Sequence, residues 1–218
     1  MATLLKEEVS AHGYCFIEEL SPNSDSISIA VEFGKTMSPW AGRLVQQLVP
    51  RATSTLNTYS GLYGLNRFPF HTDLAHWREP PRYLMLRCVK GYASVPTLLL
   101  DGKILVERVT QNVLGRAIAK PRRPQNGLVP LLLLYQATDS GFRLRWDETF
   151  LEPASSTGKI AFQKVLDGLA QIEHHAISLQ QPGDTIVLDN WRMLHARSPI
   201  PSGCEDREIE RIYLESLN

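Results

Sequence analysis

The chain has 218 residues, and its 23 Lys and Arg balance its 23 Asp and Glu, so the formal net charge is zero. This balance excludes a strongly basic surface, and we expect no nucleic-acid partner. Apolar residues make up 43% of the chain and charged residues 21%, which is typical of a globular protein and not of a disordered one. A length of about 200 residues fits one core, so we expect a single domain over residues 1–218.

No segment has the pattern of a membrane or secreted protein. The longest apolar run, residues 131–135, is far too short to span a bilayer. Charged residues at positions 6–8 interrupt the N-terminus before an apolar stretch can develop, unlike in a signal peptide. The three cysteines, Cys15, Cys88 and Cys204, are widely spaced and argue for a reducing compartment. We therefore expect a cytoplasmic protein that does not bind membranes.

The N-terminal region, about residues 1–50, predicts two helices and a strand. Residues 2–12 have the pattern of a short amphipathic helix that ends at Gly13, and a strand is predicted at residues 14–17. Residues 23–25 are of the types that cap a helix N-terminus, and the apolar-periodic stretch after them ends at Gly34.

From about residue 51 to residue 218, short segments rich in strand-forming residues and bounded by Gly or Pro predominate. Helices are predicted only at residues 101–116 and 155–173, where apolar residues recur at helical spacing. Many short strands with a few helices outside favour a mainly β fold with flanking α-helices, a β-sandwich or jelly roll, over a doubly wound parallel sheet. The predicted strands are residues 53–59, 68–73, 82–89, 95–100, 127–135, 141–146, 176–179, 185–188, 193–196 and 209–215.

His71 and Asp73 are the first candidate for chemistry. Residues i and i+2 of a strand point to the same face, so this pair would present an imidazole beside a carboxylate. Alone, a His-x-Asp triplet is better explained by a capped strand end than by a pair of metal ligands. His195 lies on a later predicted strand, after a turn that Asp189 and Asn190 shape. Two neutral histidines and one carboxylate form the facial triad of non-haem Fe(II) oxygenases, which leaves coordination positions open.

Arg207 and Arg211 form a second pattern near the C-terminus. In strand geometry they share one face with Ile209 and Tyr213. Two positive charges that point inward are costly unless an anion meets them, and a guanidinium matches a carboxylate bidentately. A solvated edge strand is the alternative interpretation, because Glu208 and Glu210 alternate with the arginines.

Taken together, several segments match the pattern of one family in order and spacing. They are residues 70–73, 80–88, 97–102, 182–190, 195–197 and 206–214. The chain resembles the Fe(II)- and 2-oxoglutarate-dependent oxygenases of the taurine dioxygenase and clavaminate synthase type from about residue 53 onward. Residues 143–147 are more similar to the clavaminate synthase and amino-acid hydroxylase branch, although that branch commonly has a Glu where this chain has Asp73.

The resemblance implies a double-stranded β-helix, or jelly roll, of the clavaminate synthase type. It implies an oxidoreductase that uses Fe(II), 2-oxoglutarate and dioxygen to hydroxylate or desaturate a small carboxylate-bearing molecule, such as an amino acid, with release of succinate and CO2. His71, Asp73 and His195 would bind the iron and act in catalysis. The resemblance assigns Thr97 and Arg207 to 2-oxoglutarate, and Arg211 and Arg67 to the substrate.

Two other functions stay open at the level of sequence. A cupin-like isomerase or hydrolase would keep the fold and use a divalent metal as a Lewis acid, but it would not need the carboxylate-binding pair Thr97 and Arg207. A jelly-roll protein without enzymatic activity would bind an anion through Arg207 and Arg211.

Overall fold

The computed structural model describes residues 2–39, 42–52, 58–124 and 127–218. The strands are β1 (Tyr14–Ile17), β2 (Gly34–Met37), β3 (Gln46–Leu48), β4 (Phe68–His71), β5 (Tyr83–Lys90), β6 (Thr97–Asp101), β7 (Ile118–Pro121), β8 (Leu132–Leu133), β9 (Tyr135–Thr138), β10 (Gly141–Leu144), β11 (Leu151–Pro153), β12 (His175–Ile177), β13 (Thr185–Asp189), β14 (Met193–Arg197) and β15 (Glu208–Leu217). The helices are α1 (Ala2–His12), α2 (Ser26–Phe33), α3 (Tyr59–Tyr63), α4 (Gly102–Val109), α5 (Gln111–Arg116) and α6 (Ser156–Leu169).

Two antiparallel sheets form the body of the fold. The larger has the order β1-β13-β5-β15-β2, with β3 also paired to β15, and the smaller has the order β12-β6-β14-β4. Their facing sides share one apolar cluster, to which both sheets contribute. The remaining strands form the small sheets β11-β7-β8 and β10-β9. The predicted mainly β jelly roll with flanking helices is confirmed.

Both main sheets are covered on their outer faces as well. In β15, Ile209 and Tyr213 face the interior between the sheets, whereas Ile212 and Leu214 pack outward in the cluster that α1 and α2 cover. The outer face of the smaller sheet belongs to a third cluster with α4, α5 and α6. A strand that is buried on both faces has a nearly continuous run of apolar residues in its sequence, not an alternation of apolar and polar residues. Strands β5 and β13 have such sequences.

The predicted elements of the N-terminal region are confirmed. Helix α1 and strand β1 have the predicted bounds, and Asp25 caps α2 by accepting a hydrogen bond from the N–H of Ser28 at 2.9 Å. Strands β1, β2 and β3 all pair within the larger sheet, so this region contributes directly to one wall of the interior. The division into a single domain stays a prediction.

Several predicted elements differ from the structure, and the strand predicted at residues 68–73 ends at His71, before Asp73. The helix at residues 101–116 is two helices, because Thr110 has a φ of 80°, which ends α4 and lets both Val109 and Leu114 enter the core. The strand at residues 127–135 is replaced by the two-residue strand β8 and by Tyr135, the first residue of β9. Of the strand at residues 53–59, residues 53–57 lie outside the described part, and Tyr59 begins α3 because the Thr58 side chain caps it.

None of the helices in the described ranges is both long enough and apolar enough to cross a membrane.

Candidate metal centre

Strand pairing brings the two predicted histidine ligands together. His195 of β14 lies directly opposite His71 of β4, and the centroids of their rings are 4.4 Å apart. Asp73 follows the end of β4, and its Oδ1 lies 3.4 Å from Nε2 of His71 and 3.6 Å from Nε2 of His195. One ligand atom from each of the three residues lies within 4.8 Å of the others. All three residues are buried, with exposed fractions of 4–7%.

Hydrogen bonds outside the triad select the atoms that face its centre. Nδ1 of His71 lies 2.9 Å from the carbonyl oxygen of Pro69 and donates to it, which leaves the Nε2 lone pair free for a metal. Oδ2 of Asp73 accepts from Nη1 of Arg211 at 2.8 Å and from the hydroxyl of Tyr213 at 2.9 Å. Only Oδ1 then remains for a metal. This donor set of two imidazoles and one carboxylate oxygen fits Fe(II).

The pKa directions of Asp73 and His195 suit metal binding, whereas that of His71 favours its protonated form, so His71 must lose a proton when a metal binds. Burial acts to raise the pKa of Asp73, but the charge of Arg211 and the hydrogen bonds of the two histidines hold that pKa well below its usual value. Burial, followed by the charge of His71, lowers the pKa of His195. Burial also acts to lower the pKa of His71, but its hydrogen bond to Asp73 and the charge of Asp73 raise it overall. An ionised carboxylate and a neutral imidazole are the forms that bind a metal.

Asn190 fixes the backbone of Asp73. Its Oδ1 accepts from the N–H of Asp73 at 2.7 Å, and its Nδ2 donates to the carbonyl oxygens of Asp73 at 3.0 Å and Pro81 at 2.8 Å. The sequence predicts Asn190 only as a turn residue. Its contact with Asp73 spans 117 positions, and no local pattern signals it.

The loop after Asp73 is held by a buried arginine. Leu74 has a φ of 54°, which turns the chain sharply. The Arg145 guanidinium donates to the carbonyl oxygens of Ala75, Trp77 and Arg78 at 2.6, 2.6 and 3.2 Å. Nδ1 of His76 in this loop is buried and, among the described residues, has no hydrogen-bond partner. Burial lowers the pKa of His76, so a neutral imidazole is favoured here.

Tyr59 forms one wall of the centre. The centroid of its ring lies 4.4 Å from that of His71 and 4.9 Å from that of Phe150, and its hydroxyl donates to Oδ2 of Asp147 at 2.8 Å. Oδ1 of Asp147 accepts from the N–H groups of Thr149 and Phe150. Sequence reasoning did not identify Tyr59 as a site residue, because it precedes His71 on a separate short helix.

Arg207 is a buried arginine for which the described part of the chain provides no ion pair. It is 5% exposed, and burial lowers its pKa to about 10. Within the described ranges its Nε has no hydrogen-bond partner, and its guanidinium forms no ion pair.

Thr97 lies opposite Arg197 in the β6–β14 pairing, and the charge of Arg207 acts on Arg197 to lower its pKa. Thr97 shares the inward-facing side of β6 with Leu99.

Arg211 lies at the centre, in contact with the carboxylate ligand. Besides its bond to Asp73, its Nε donates to Oε1 of Gln46 at 3.0 Å, and its Nη2 donates to the same oxygen.

Arg67 lies away from the metal centre. It is exposed, its guanidinium carbon is 5.5 Å from the centroid of the Phe70 ring, and it lines a cleft of about 310 Å³ to which no triad residue contributes. Its predicted contact with substrate stays a prediction.

The comparison with known sequences finds a partial match to a curated protein. The chain is 26% identical to clavaminate synthase 2 of Streptomyces clavuligerus over 163 residues, which are 67% of this chain and 49% of that protein. The chain therefore spans about half the length of the curated relative that it matches. No protein-family model matches it.

Solved structures match over nearly the whole chain. An asparagine oxygenase in complex with Fe(II), 2S,3S-3-hydroxyasparagine and succinate has a TM-score of 0.72 at 16% identity, over 98% of this chain and 77% of that one. PvcB from Pseudomonas aeruginosa has a TM-score of 0.73 at 16% identity, over 98% and 80%. The non-haem iron oxygenase OrfP in complex with Fe, succinate and (3S)-hydroxy-L-Arg has a TM-score of 0.68 at 18% identity, over 99% and 79%.

The fold is that of the clavaminate synthase-like oxygenases. The resemblance predicted from the sequence is therefore confirmed at the level of fold. Within this clavaminate synthase-like jelly roll, the predicted ligands His71, Asp73 and His195 lie together at one place in the interior between the sheets.

Proposed function

We propose that the chain is an Fe(II)- and 2-oxoglutarate-dependent oxygenase. It hydroxylates or desaturates a small carboxylate-bearing molecule, of which an amino acid or a derivative is the simplest case. The observation that carries this proposal is the convergence of two imidazole Nε2 atoms on one carboxylate oxygen, in the interior of this fold. The partners are then a small-molecule substrate and dioxygen. We place the enzyme in the cytoplasm, because all three cysteines are free.

His71 and His195 would bind Fe(II) through Nε2, and Asp73 through Oδ1. With 2-oxoglutarate and dioxygen, the bound iron supplies the oxidative chemistry, in which a C–H bond of the substrate becomes C–OH while 2-oxoglutarate and O2 become succinate and CO2. The protein supplies position, charge and the exclusion of water. The three ligands are almost fully buried, so solvent reaches the centre only poorly.

Charge at the centre favours a dianionic co-substrate. Arg211 already pairs with Asp73 at 2.8 Å, so the carboxylate ligand does little to offset the two charges of the metal. Arg207 adds a further buried positive charge, whose Nε has no hydrogen-bond partner in the described chain. We assign Arg207 and Thr97 to the carboxylate of 2-oxoglutarate that is far from the metal. A cupin-like isomerase or hydrolase would have no use for this buried cation.

Arg211 is our candidate for the substrate carboxylate. Its bonds to Asp73 and Gln46 leave part of the five-donor capacity of a guanidinium unused. A carboxylate bound there would lie beside the metal ligand Asp73. Tyr59 and Phe150 offer an apolar wall, and the neutral imidazole of His76 offers a polar contact at the other end of this wall, with ring centroids of His76 and Phe150 6.0 Å apart.

The test is anaerobic addition of Fe(II) and then 2-oxoglutarate to the apoprotein. We expect a visible metal-to-ligand charge-transfer band, and its loss in His195→Ala. Admission of air should then form succinate, and a panel of amino acids should reveal a substrate by a mass gain of one oxygen. A correctly folded protein that shows neither the band nor succinate would refute the proposal.

A further inference from the structure

We propose that Gln46 is a positioning residue of the metal centre. It fixes the Arg211 guanidinium, which together with Tyr213 holds Oδ2 of Asp73, so that Oδ1 alone is offered to the metal. This inference rests on the proposed metal site. It assigns a role in that site to the N-terminal region.

Strand register brings Gln46 to Arg211. Gln46 of β3 lies directly opposite Arg211 of β15, and the next pair along is Gln47 with Glu210. Because successive side chains of a strand point to opposite faces, Gln46 shares the face of Arg211, whereas Gln47 is on the other face. Gln46 is half-buried and Gln47 is exposed.

The Arg211 guanidinium forms hydrogen bonds with different residues on two of its sides. Nε and Nη2 both donate to Oε1 of Gln46, and Nη1 donates to Oδ2 of Asp73. The guanidinium is planar and rigid, so an acceptor that fixes the Nε and Nη2 edge also fixes the direction of Nη1. Without this acceptor the long Arg211 side chain regains rotamer freedom, and the bond to Asp73 becomes less well defined.

The orientation of Asp73 matters for the metal. Two donors on Oδ2 prevent that oxygen from turning toward the histidines, while Oδ1 lies within 3.6 Å of both Nε2 atoms. A carboxylate that is held in this way binds through one oxygen and leaves the remaining coordination positions open. Hydrogen bonds around metal ligands orient them and raise affinity. Gln46 acts on this geometry through Arg211.

The experiment measures Co(II) affinity of the apoprotein by calorimetry, with Co(II) alone as the probe. Gln46→Met keeps the length of the side chain and removes the acceptor, and Gln47→Met is the matched control on the opposite face. Loss of a residue that hydrogen-bonds directly to a metal ligand typically lowers metal affinity about 10–100-fold. Gln46 contacts the ligand Asp73 only through Arg211, so we expect Gln46→Met to lower Co(II) affinity by about 3–10-fold. We expect no loss in Gln47→Met.

Gln46→Glu separates positioning from packing. A carboxylate can accept from Nε and Nη2 together, so Nη1 stays on Asp73 and Co(II) affinity should match or exceed that of the wild type. A residue that only filled space would tolerate Met better than a buried charge. The inference is overturned if Gln46→Met binds Co(II) like the wild type, if Gln46→Glu binds more weakly than Gln46→Met, or if Gln47→Met loses as much. A folded wild type that binds no Co(II) would overturn the metal site itself.

Discussion

Replacement of Arg207 by Met should strongly weaken 2-oxoglutarate binding without destabilising the apoprotein. Arg207 is almost fully buried, and burial lowers its pKa from the usual 12.5 to about 10. Since one pKa unit corresponds to about 1.4 kcal/mol, holding this charge in the folded protein costs about 3 kcal/mol at neutral pH. No described residue offsets this cost with an ion pair. We infer that the charge is kept for a ligand.

Two measurements on Arg207→Met follow. Urea unfolding of the apoprotein should show a free energy of unfolding that is unchanged or higher, by up to about 3 kcal/mol, because a buried charge becomes an apolar side chain. Affinity for 2-oxoglutarate should fall by about 2–5 kcal/mol, the usual loss when one partner of a buried charge pair is removed. Co(II) affinity should change little, since Arg207 contacts no predicted ligand.

Arg197→Met is the matched control. The pKa of Arg197 is also lowered to about 10, by burial and then by the charge of Arg207. Its Nη2, however, donates to the carbonyl oxygens of Gly64 and Asn66 at 2.7 and 2.6 Å. This variant should therefore lose about 1–3 kcal/mol of stability.

Ligand-induced stabilisation gives a second readout for Arg207. At 2-oxoglutarate concentrations of about 100 times the Kd, the wild type with Co(II) should gain about 2.7 kcal/mol, and Arg207→Met should gain almost nothing at the same concentration. An apoprotein of Arg207→Met destabilised by more than about 1 kcal/mol, or one that binds 2-oxoglutarate like the wild type, would refute the assignment of this charge to the co-substrate.

Two further predictions concern residues around the centre, and a third concerns Cys88 in the interior between the sheets. Asn190→Ala leaves the N–H of Asp73 and the carbonyl of Pro81 without their partner, so urea unfolding should show a loss of about 2–4 kcal/mol, and Co(II) binding should weaken. Tyr59→Phe removes only the bond to Asp147 and should cost about 1–2 kcal/mol in the same assay. Burial raises the pKa of Cys88 to about 11, so about one thiol in a thousand is ionised at pH 8, and mass spectrometry should find Cys88 unmodified after iodoacetamide treatment of the native protein.

Each of these three expectations has a contradicting outcome. An Asn190→Ala variant as stable as the wild type would mean that Asp73 holds its backbone position without the amide. Unchanged stability of Tyr59→Phe would mean that the hydroxyl bond to Asp147 contributes nothing net. Alkylation of Cys88 at the rate found in urea would mean that the interior between the sheets opens readily.

Sequence reasoning was most successful where the signal was local. Asp25 and Ser155 both cap helices at the positions that their residue types indicate. The helix at residues 101–116 failed because nothing in its apolar spacing reveals the positive φ at Thr110, which arises from the packing of α4 and α5 on the core. The predicted interior face of β15 was correct for Arg211 and Tyr213, since both reach Asp73.

The sequence by itself predicted the residue types of the proposed metal site. The sequence predicted His71 and Asp73 as a pair on one strand, whereas β4 ends at His71 and Asp73 lies in the turn that follows; the two imidazoles and one carboxylate are the donor set that the sequence indicated. Only the tertiary structure decided which other residues contact the proposed metal ligands. The strand register sets His195 opposite His71 and Gln46 opposite Arg211, and Asn190 reaches Asp73 across the interior of the fold. Such contacts depend on how whole sheets pair, so the sequence predicted His195 as a ligand without its register, and it gave no signal for Gln46 or for the contact of Asn190 with Asp73.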